Sequence, residues 1–496
     1  MKKNEIIKIE VDRLSSEGQG IGFVDGQVVF VKNALPGEIV NALILKVNKK
    51  EAYAVTREVL VASENRVKPS CPAYFKCGGC DLLHQSFEAE NRFKRDKVKD
   101  CLSRIGGFKD VEVEETVFAN ELHYRNKGQY PVGLDKEGNI VAGFYAPHSH
   151  RIVEAPCILQ KSVNDVIVKA VLAHMRKNHI RPYADSNGEV LSGGLVRHIY
   201  IRVGESSREI MVCLVINGND YPKKNELVNE LVAAIEGFDQ RLTLTSFVLN
   251  INKEVTNVIL GKKNVYVYGK EYITDKIGDL KYRISPHSFY QVNPKATKKL
   301  YDIAVENAAL TGNETVFDLY CGIGSISLYL AKKAKKVYGV EIVPEAINDA
   351  RLNAKENGIK NAEFFVGAAE DVVDDKFGIK QKGDKVDVVV LDPPRKGCDG
   401  KLIESVLKIA PERVVYVSCD PATLARDLKL FCEEKYEIKR VTPVNMFPRT
   451  EHVETVCLLS NRKADAKIRI NVDLEDYYAE TGVYFGKIST RRKNEK

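Results

Sequence analysis

TVFDLYCGIGS, residues 315–325, is an apolar strand pattern that runs into two glycines and then into the helical pattern SISLYLAKKA. Gly322 and Gly324 let the backbone approach a ligand at the N-terminus of the following helix, where unpaired amide groups bind polar atoms. The next apolar run, KVYGVE, ends in Glu341, a carboxylate placed where it would hydrogen-bond a ribose diol. The stretch therefore predicts a site for an adenosine cofactor after the first strand of a parallel sheet.

This loop differs from the dinucleotide-binding fingerprint at two places. The pattern G-x-G-x-x-G requires a third glycine where Ser327 stands, and Asp318 precedes the glycines. S-adenosylmethionine therefore fits the loop better than NAD.

Around the loop, from residue 291 to residue 462, strand patterns alternate with helical ones. The strand patterns are TVFDLY, KVYGVEIV, AEFFVGA, VDVVVLDPP, RVVYVSCDP, YEIKRVTPV and ETVCLLS. Such alternation builds a parallel sheet covered by helices on both faces. We therefore expect residues 291–462 to form an α/β domain of the class I, Rossmann-like methyltransferase type.

The chain before residue 291 shows two other patterns. In residues 1–61, short period-two stretches surround a hairpin signal at Asp25-Gly26, which predicts a small β-barrel of the oligonucleotide-binding type. Residues 62–290 mix a cysteine-rich loop, a basic helix and paired strand patterns, so we expect a central α+β domain. The sequence predicts no role for the tail, residues 463–496.

Length, charge and cysteine content narrow the class of protein. The chain has 496 residues, with 75 Lys and Arg against 68 Asp and Glu, a net charge of +7. This length excludes a single small binding module, and so mild a charge does not by itself establish a nucleic-acid partner. The chain has neither an apolar signal region at its start nor a run of about 18 apolar residues, so we expect a cytoplasmic protein with no membrane partner. Because the cytoplasm keeps thiols reduced, its 11 cysteines indicate metal binding or catalysis rather than disulfides. The sequence implies no obligate protein partner.

Three reactive groups stand at the ends of the later strand patterns. Asp392 stands at the end of the fourth pattern and is followed by two prolines. A carboxylate on such a rigid loop, at the edge where the sheet binds ligands, is typical of a pocket for a planar target. Cys419 ends the fifth pattern and precedes a helix N-terminus, which would favour the thiolate. If the last strand runs antiparallel beside the fifth, Glu454 at its beginning lies next to Cys419. A carboxylate beside a thiol suits proton transfer.

A thiol and a base at an S-adenosylmethionine site suggest one reaction. The C5 atom of uracil is a poor nucleophile, but addition of a thiolate to C6 gives an enolate that attacks a methyl donor through C5. Cys419 would be the covalent nucleophile, and Glu454 would then remove the C5 proton. Because a stacked base is shielded on both faces, the substrate would be an RNA loop or a flipped base.

A group of cysteines lies in the central segment. Three of them form a C-x5-C-x2-C pattern whose two intervening glycines permit tight wrapping around an inorganic centre. Cys157 is the best candidate for a fourth ligand because it lies in the same segment after a proline, whereas Cys101 lies in a helical pattern. Four thiolates suit zinc or an iron–sulfur cluster, and the spacing does not choose between them. The four residues are Cys71, Cys77, Cys80 and Cys157.

Together these motifs resemble the uracil-5 RNA methyltransferase family, and within it the 23S ribosomal RNA branch that carries an N-terminal TRAM domain and a [4Fe–4S] cluster. The resemblance covers residues 1–462. It rests on CPAYFKCGGC, HYRNK, SFYQVN, DLYCGIG, VEIV, LDPPRKG, VSCDPATLARDL and HVETV. It implies a TRAM-like RNA-binding domain in residues 1–61, and transfer of a methyl group from S-adenosylmethionine to C5 of a uridine in 23S ribosomal RNA.

The resemblance also implies roles for single residues. It implies that Cys419 is the nucleophile and Glu454 the proton acceptor. It implies an iron–sulfur cluster at the four cysteines of the central segment, with a structural or RNA-positioning role. Besides the loop glycines, the residues that it places on S-adenosylmethionine are Gln291, Tyr320, Glu341 and Asp392.

Three other readings compete with this one. A uracil-5 methyltransferase acting on tRNA shares the chemistry, although such members usually lack the cysteines and the TRAM domain. A cytosine-5 RNA methyltransferase normally carries a cysteine in the fourth-strand loop, where this chain has Asp392, and Cys398 comes too late. A non-catalytic RNA-binding protein is disfavoured because cofactor loop, thiol and carboxylate are all present.

The helical pattern from Phe87 to Arg104 is rich in basic residues. Such a run contacts RNA phosphates in many proteins and would make binding depend on salt. The candidate contacts are Arg92, Lys94, Arg95, Lys97 and Lys99, together with Arg125 and Lys127.

Overall fold

The computed structural model describes residues 1–185, 188–372 and 385–462. The tail predicted from the sequence, residues 463–496, lies outside these residues. Among the helices of the described residues, none combines the length and the apolar character that crossing a membrane requires.

Residues 1–61 form one six-stranded sheet. Its strands are β1 Ile6–Glu10, β2 Arg13–Leu14, β3 Gly20–Val24, β4 Gln27–Lys32, β5 Ile39–Val47 and β6 Glu51–Val61. They are ordered β1-β5-β6-β4-β3-β2. Asp25 and Gly26 have φ values of 50° and 78° and make the two-residue turn between β3 and β4, as the Asp-Gly signal predicts.

This sheet curls around its own apolar core. Alternate residues of β1, β4, β5 and β6 are buried in a single cluster, as period-two patterning requires. Strand β3 passes close to β1, since a Cβ atom at Gly22 would overlap the Glu10 carbonyl oxygen and the Ile9 side chain. The curled sheet agrees with the small barrel expected from the sequence.

The central segment contains a second sheet. The elements of residues 62–290 are α1 Phe87–Cys101, β7 Val117–Phe118, β8 Lys127–Leu134, β9 Ile140–Ala142, β10 Phe144–Tyr145, β11 Ile152–Val153, α2 Val163–Lys177, β12 Val196–Val203, β13 Glu209–Ile216, α3 Lys224–Phe238, β14 Thr243–Ile251, β15 Lys263–Gly269, β16 Ile273–Ile277 and β17 Leu280–Ile284. Six strands form a sheet in the order β15-β14-β13-β12-β8-β9. Helices α2 and α3 pack against each other and share an apolar core with this sheet.

The C-terminal domain is built on an eight-stranded sheet. The elements of residues 291–462 are α4 Pro294–Ala308, β18 Thr315–Leu319, α5 Ser325–Ala331, β19 Lys336–Glu341, α6 Pro344–Glu356, β20 Ala362–Val366, β21 Val388–Leu391, α7 Gly400–Ile409, β22 Arg413–Ser418, α8 Pro421–Glu434, β23 Tyr436–Asn445 and β24 Glu454–Asn461. The sheet order is β20-β19-β18-β21-β22-β24-β23-β7. The first five strands are parallel, whereas β24 runs antiparallel to both of its neighbours.

Two apolar layers cover this sheet. Val388 and Val390 of β21 pack with residues of α4, α5 and α6, whereas Val389 and Leu391 pack with residues of α7 and α8. A strand that is apolar on both sides is typical of a parallel sheet with helices on both faces. The predicted α/β class is therefore confirmed.

Parts of the central segment pack on the C-terminal domain. Helix α1 contacts α8 and β23, and β7 pairs in parallel with the end of β23. The hairpin of β16 and β17 contributes to the same apolar core as α4. The domain boundaries at residues 61, 290 and 462 stay predictions, and the chain on both sides of residue 290 shares one core.

The basic face expected on α1 is only partly exposed. Lys94 is fully buried, and its ammonium lies 3.0 Å from Glu90 and donates to Asn445 Oδ1 at 2.6 Å. Lys97 pairs with Glu451. The prediction of a phosphate contact is therefore wrong for Lys94, because the ammonium is used inside the protein. The exposed residues of the run are Arg92 and Lys99.

Candidate active site

The predicted site residues of the C-terminal domain meet at one edge of its sheet. Strands β19, β18, β21 and β22 lie side by side in parallel. Tyr320, Asp392 and Cys419 each come directly after one of these strands, and Glu341 is the last residue of β19. This edge is where open α/β sheets bind their ligands.

The loop after β18 has an open, unusual backbone. Gly322 and Gly324 have φ values of 53° and 78°, and Tyr320 has a φ of 122°, which a residue with a side chain rarely adopts. The amides of Tyr320 and Cys321 both donate to the Val340 carbonyl at 3.0 Å, which ties the loop to the neighbouring strand. A Cβ atom at Gly322 would meet no atom within 4 Å, so there is room for a ligand beside the loop.

Below the loop lies a buried carboxyl group, Asp318. Its Oδ2 atom accepts a hydrogen bond from the Ser327 hydroxyl, whereas its buried Oδ1 atom has no partner within the described residues. Burial, followed by the nearby Asp392 and Glu341, raises the pKa of Asp318 to about 7. Sequence reasoning used Ser327 only to reject the dinucleotide fingerprint and missed that it orients this carboxyl group.

The pairing of β22 with β24 brings the thiol and the base together. Ser418 lies opposite Thr455, so the next residue along each strand edge is Cys419 on one side and Glu454 on the other. The Glu454 side chain is buried, and the Cys419 side chain is partly exposed. The antiparallel arrangement expected for the last strand is thus confirmed.

The Cys419 thiol has a raised pKa in this structure. Burial raises its pKa to about 11, and the carboxyl groups of Glu454 and Asp392 add to the shift, while Arg395 opposes it. A thiolate next to carboxylates would be costly. Arg395, which follows the two prolines after Asp392, is a cation that sequence reasoning passed over.

The first turn of the helix that follows Cys419 already holds a carboxylate. Asp420 Oδ1 accepts hydrogen bonds from the amides of Ala422 at 2.8 Å and Thr423 at 3.1 Å, so this carboxylate occupies the first turn of α8. The expectation that this helix N-terminus favours the Cys419 thiolate stays a prediction, while burial and the neighbouring carboxyl groups raise the pKa of the thiol.

Glu454 is a buried carboxyl group whose pKa is raised. Burial, followed by the nearby Asp392, raises its pKa to about 8, and Arg395 partly compensates. Burial alone raises the pKa of Asp392 to about 7. Within the described residues the Glu454 side chain makes no hydrogen bond. A carboxyl group with a pKa near neutrality can both accept and release a proton, as an acid–base group must.

Gln291 lies between β17 and α4, and its side chain is partly exposed. Its carbonyl oxygen accepts a hydrogen bond from Asn126 Nδ2 at 3.0 Å. Two residues on, Asn293 caps α4 by accepting from the Ala296 amide at 3.2 Å and donates to the Met446 carbonyl at 3.1 Å. The segment with Gln291 is therefore tied both to the central segment and to the chain that leads to Glu454.

The four cysteines of the central segment line one cavity. Its volume is about 270 Å³, and Arg125 and Lys127 also line it. The thiols lie close enough to affect one another, since burial and then Cys157, Cys77 and Cys71 raise the pKa of Cys80. In the described part of the chain, no group of three or more His, Cys, Asp or Glu side chains has the arrangement that holds a metal ion. Cys101 lies outside this cavity, at the end of α1.

The fold and this edge define a Rossmann-like methyltransferase with an added RNA-binding domain. The family model described as tRNA (Uracil-5-)-methyltransferase matches residues 220–462, and the TRAM domain model matches residues 2–56. An RNA methyltransferase of Halalkalibacterium halodurans is 46% identical over 461 residues, covering 92% of this chain and 98% of that protein. One of Clostridium tetani is 45% identical, covering 93% and 97%. The chain belongs to the RNA uracil-5-methyltransferase family.

A solved structure shares the fold over most of the chain. The Pyrococcus abyssi tRNA (uracil-54, C5)-methyltransferase, in complex with S-adenosyl-L-homocysteine, superimposes with a TM-score of 0.71 at 26% identity. The match covers 91% of this chain and 100% of the other. The fold is therefore shared with that enzyme over most of the chain.

The raised pKa of Glu454 predicts a pH-dependent stability. Folded Glu454 holds its proton up to about pH 8, whereas in the unfolded chain it releases it near 4.5. Between these values the folded state binds more protons, so the free energy of unfolding falls as pH rises. In Glu454→Gln the fall should be shallower by at most about 1.4 kcal/mol per pH unit, the effect of one proton. Urea unfolding from about pH 5 to about pH 8 measures this.

Glu404→Gln, at an exposed position of α7, is the matched control and should keep the wild-type slope. A wild-type slope in Glu454→Gln as well would show that this carboxyl group does not hold its proton in the folded protein.

Proposed function

We propose that the protein transfers a methyl group from S-adenosylmethionine to C5 of a uridine in 23S ribosomal RNA, giving 5-methyluridine. The observation that carries the proposal is the juxtaposition of Cys419 and Glu454 at the edge that also bears the cofactor loop. A covalent nucleophile and a separate base are what methylation of uracil C5 requires.

The cofactor loop fits S-adenosylmethionine in shape and in polar groups. The open space beside Gly322 admits a ligand, and the unpartnered Oδ1 of Asp318 lies beneath it. The Pyrococcus abyssi relative was solved with the demethylated product of this cofactor. When bound, the cofactor supplies the methyl group. The residues proposed to hold it are Gln291, Tyr320, Gly322, Gly324, Glu341 and Asp392.

The two catalytic residues act at different stages. Cys419 gives up its proton to solvent, and Sγ then forms a bond to C6 and moves the electron pair of the C5=C6 bond toward C5 and the O4 carbonyl. C5 uses that pair to bond the methyl group, whose bond to the donor sulfur breaks, and C5 still carries its hydrogen. Glu454, in its ionised form, accepts that proton, the C5–H electron pair re-forms the C5=C6 bond, and the Sγ–C6 bond breaks. The thiolate is thereby regenerated, and neither an oxidant nor a reductant is needed.

The two residues should fail at different points. Cys419→Ala cannot add to C6, so methylation should fall on the order of a thousandfold or more and no covalent species should form. Glu454→Gln can still add and methylate, but the C5 proton has no acceptor. A denaturation-resistant adduct that contains RNA and the transferred methyl group should therefore accumulate. Denaturing gels with labelled methyl donor and labelled RNA distinguish the two.

Wild-type turnover in Glu454→Gln, or methylation by Cys419→Ala, would remove that residue from its proposed role. The same gels test the rival readings. A non-catalytic RNA-binding protein gives no methyl transfer, and a cytosine-5 enzyme labels cytidine. Cys398 is a poor alternative nucleophile because it is buried, and its amide donates to Asp427 Oδ2 at 2.8 Å.

Two kinds of RNA compete as the substrate. The four-cysteine cavity together with the TRAM domain supports 23S ribosomal RNA, since members acting on tRNA usually lack them. The Pyrococcus abyssi structure, a tRNA enzyme that covers 91% of this chain, favours tRNA as the second candidate. In either case residues 1–61 and the central segment would bind the RNA, and the target base would leave its stack to reach Cys419.

Loss of the protein should remove 5-methyluridine from one class of RNA. In a strain without it, we expect at least one uridine of 23S ribosomal RNA to lose its methyl group while tRNA keeps its own. Mapping 5-methyluridine in both RNAs measures this, with the wild-type gene and Cys419→Ala as restoring and non-restoring controls. Loss confined to tRNA would favour the second candidate.

We further propose that Cys71, Cys77, Cys80 and Cys157 hold a [4Fe–4S] cluster. Within the described residues these side chains are not arranged around a common ion. The support is therefore their shared cavity, and Arg125 and Lys127 at its wall would balance the negative charge of four thiolates. Its role would be structural, because the proposed reaction has no redox step.

Protein purified without oxygen should be brown and contain about four iron atoms per chain. Cys157→Ser should lose the cluster readily because three thiolates leave one iron without a protein ligand. Cys101→Ser, outside the cavity, is the matched control and should retain it. Iron analysis and the absorbance of the cluster measure both, and stoichiometric zinc without iron would contradict the proposal.

A further inference from the structure

The chain between β23 and β24 leads directly into Glu454 and is buried although it is irregular. We call residues 446–453 the base segment. Met446 and residues 448–450 are buried, and Phe447 is partly buried. A buried irregular segment must find hydrogen-bond partners for its carbonyl groups outside itself.

Five carbonyl groups of the base segment accept hydrogen bonds from other parts of the chain. The donors belong to the α4 cap, to α1, to the cysteine loop of residues 71–82 and to the chain just before β8. The bonds are Asn293 Nδ2 to the Met446 oxygen at 3.1 Å, Lys94 Nζ to Phe447 at 3.0 Å, the Tyr124 hydroxyl to Pro448 at 3.0 Å, the amides of Asp81 and Leu82 to Arg449 at 2.9 and 3.1 Å, and Lys97 Nζ to Glu451 at 3.0 Å. The segment is therefore held mainly from outside.

Buried charges strengthen this hold. Glu90 Oε1 accepts from Asn445 Nδ2 at 2.8 Å and from the Arg449 amide at 2.9 Å. Lys94 pairs with the same carboxylate, and neither side chain is exposed. A shift of the base segment would take the Arg449 amide from Glu90 and the Phe447 carbonyl from Lys94, and a buried charge that loses a hydrogen bond is strongly unfavourable. The segment consequently has one favoured arrangement.

Glu454 depends on this arrangement for its own position. Its carboxyl group makes no hydrogen bond within the described residues, so no side-chain contact of that kind fixes it in front of Cys419. What places it is the backbone at the start of β24, where Glu454 pairs with Val444 across the base segment. Proton transfer is sensitive to small errors in distance and angle, so the carbonyl anchors of this segment affect the base directly.

We infer that Tyr124 is a positioning residue for Glu454 and sets the rate at which the C5 proton is removed. Tyr124 is 1% exposed and packs in a small core with Cys80, Cys157 and Phe447. Its hydroxyl is the group that anchors the Pro448 carbonyl. The inference rests on the proposed function, because it concerns the second half of that reaction and leaves the first half, addition of Cys419, unaffected.

Tyr124→Phe removes that hydroxyl and keeps the packed ring. In a single turnover with substrate RNA and labelled methyl donor, the methylated protein–RNA adduct should form at the wild-type rate and decay roughly two- to tenfold more slowly, the effect expected of one lost hydrogen bond. Quenching in denaturant at successive times and counting the adduct on gels measures both rates. The slower decay is a signature that general loss of stability does not produce.

Tyr436→Phe is the matched control. Tyr436 is also fully buried, and its hydroxyl donates to a proline carbonyl, that of Pro411, at 2.9 Å. It lies at the start of β23, at the opposite end of that strand from the base segment. It should lose a similar hydrogen bond and leave both adduct rates unchanged.

The outcomes separate this inference from the proposed function. Equal decay in Tyr124→Phe and Tyr436→Phe overturns it, and so does slow formation with normal decay. Lys94→Met, which removes the buried ammonium, should slow decay further, and normal decay in that variant also contradicts the inference. Should that variant not fold, Tyr124→Phe decides alone. Glu454→Gln is run in parallel, and failure to accumulate adduct there rejects the base assignment itself.

Discussion

The antiparallel pairing of β24 with β22 is the constraint on which the site depends. In a sheet of parallel strands only carboxyl ends meet at one edge, and each connection returns over a helix. Reversing one strand brings its beginning to the same edge, which places Glu454 beside Cys419 across the pair of Ser418 and Thr455. The reversal also requires the chain to turn at this edge of the sheet, between β23 and β24. That connection contains no helix. The buried base segment is the consequence.

This edge of the sheet is electrostatically unusual because it brings several buried carboxyl groups close together. Asp318, Asp392 and Glu454 all have raised pKa values, and the Cys419 thiol shares the shift. Burial is the main cause at each of the four groups, so the site carries less negative charge at neutral pH than its composition implies. An uncharged planar base enters such a pocket more readily than a pocket of ionised carboxylates. In the proposed reaction the Cys419 thiolate would therefore have to be generated within the assembled complex.

Sequence patterns predicted the features that depend on local chemistry. The Asp25-Gly26 turn, the strand and helix alternation after residue 291 and the loop at Gly322 and Gly324 each involve residues adjacent in the chain. The meeting of Cys419 and Glu454 followed from one topological expectation about the last strand. Whole-chain contacts were not predictable in this way. In the sequence, Lys94 belongs to a run of basic residues that predicts an exposed face. In the structure its ammonium donates a hydrogen bond to Asn445, which lies 351 positions away along the chain.

The same limit explains why the sequence predicts a boundary between the central segment and the C-terminal domain. Its motif HYRNK, residues 123–127, contacts three parts of the site at once. Tyr124 holds the Pro448 carbonyl, Asn126 holds the Gln291 carbonyl, and Arg125 and Lys127 line the cysteine cavity. This single short stretch therefore contacts both the C-terminal domain and the cysteine cavity. The central segment thus connects the cysteine cavity to the chain that leads to Glu454 and to the chain at Gln291.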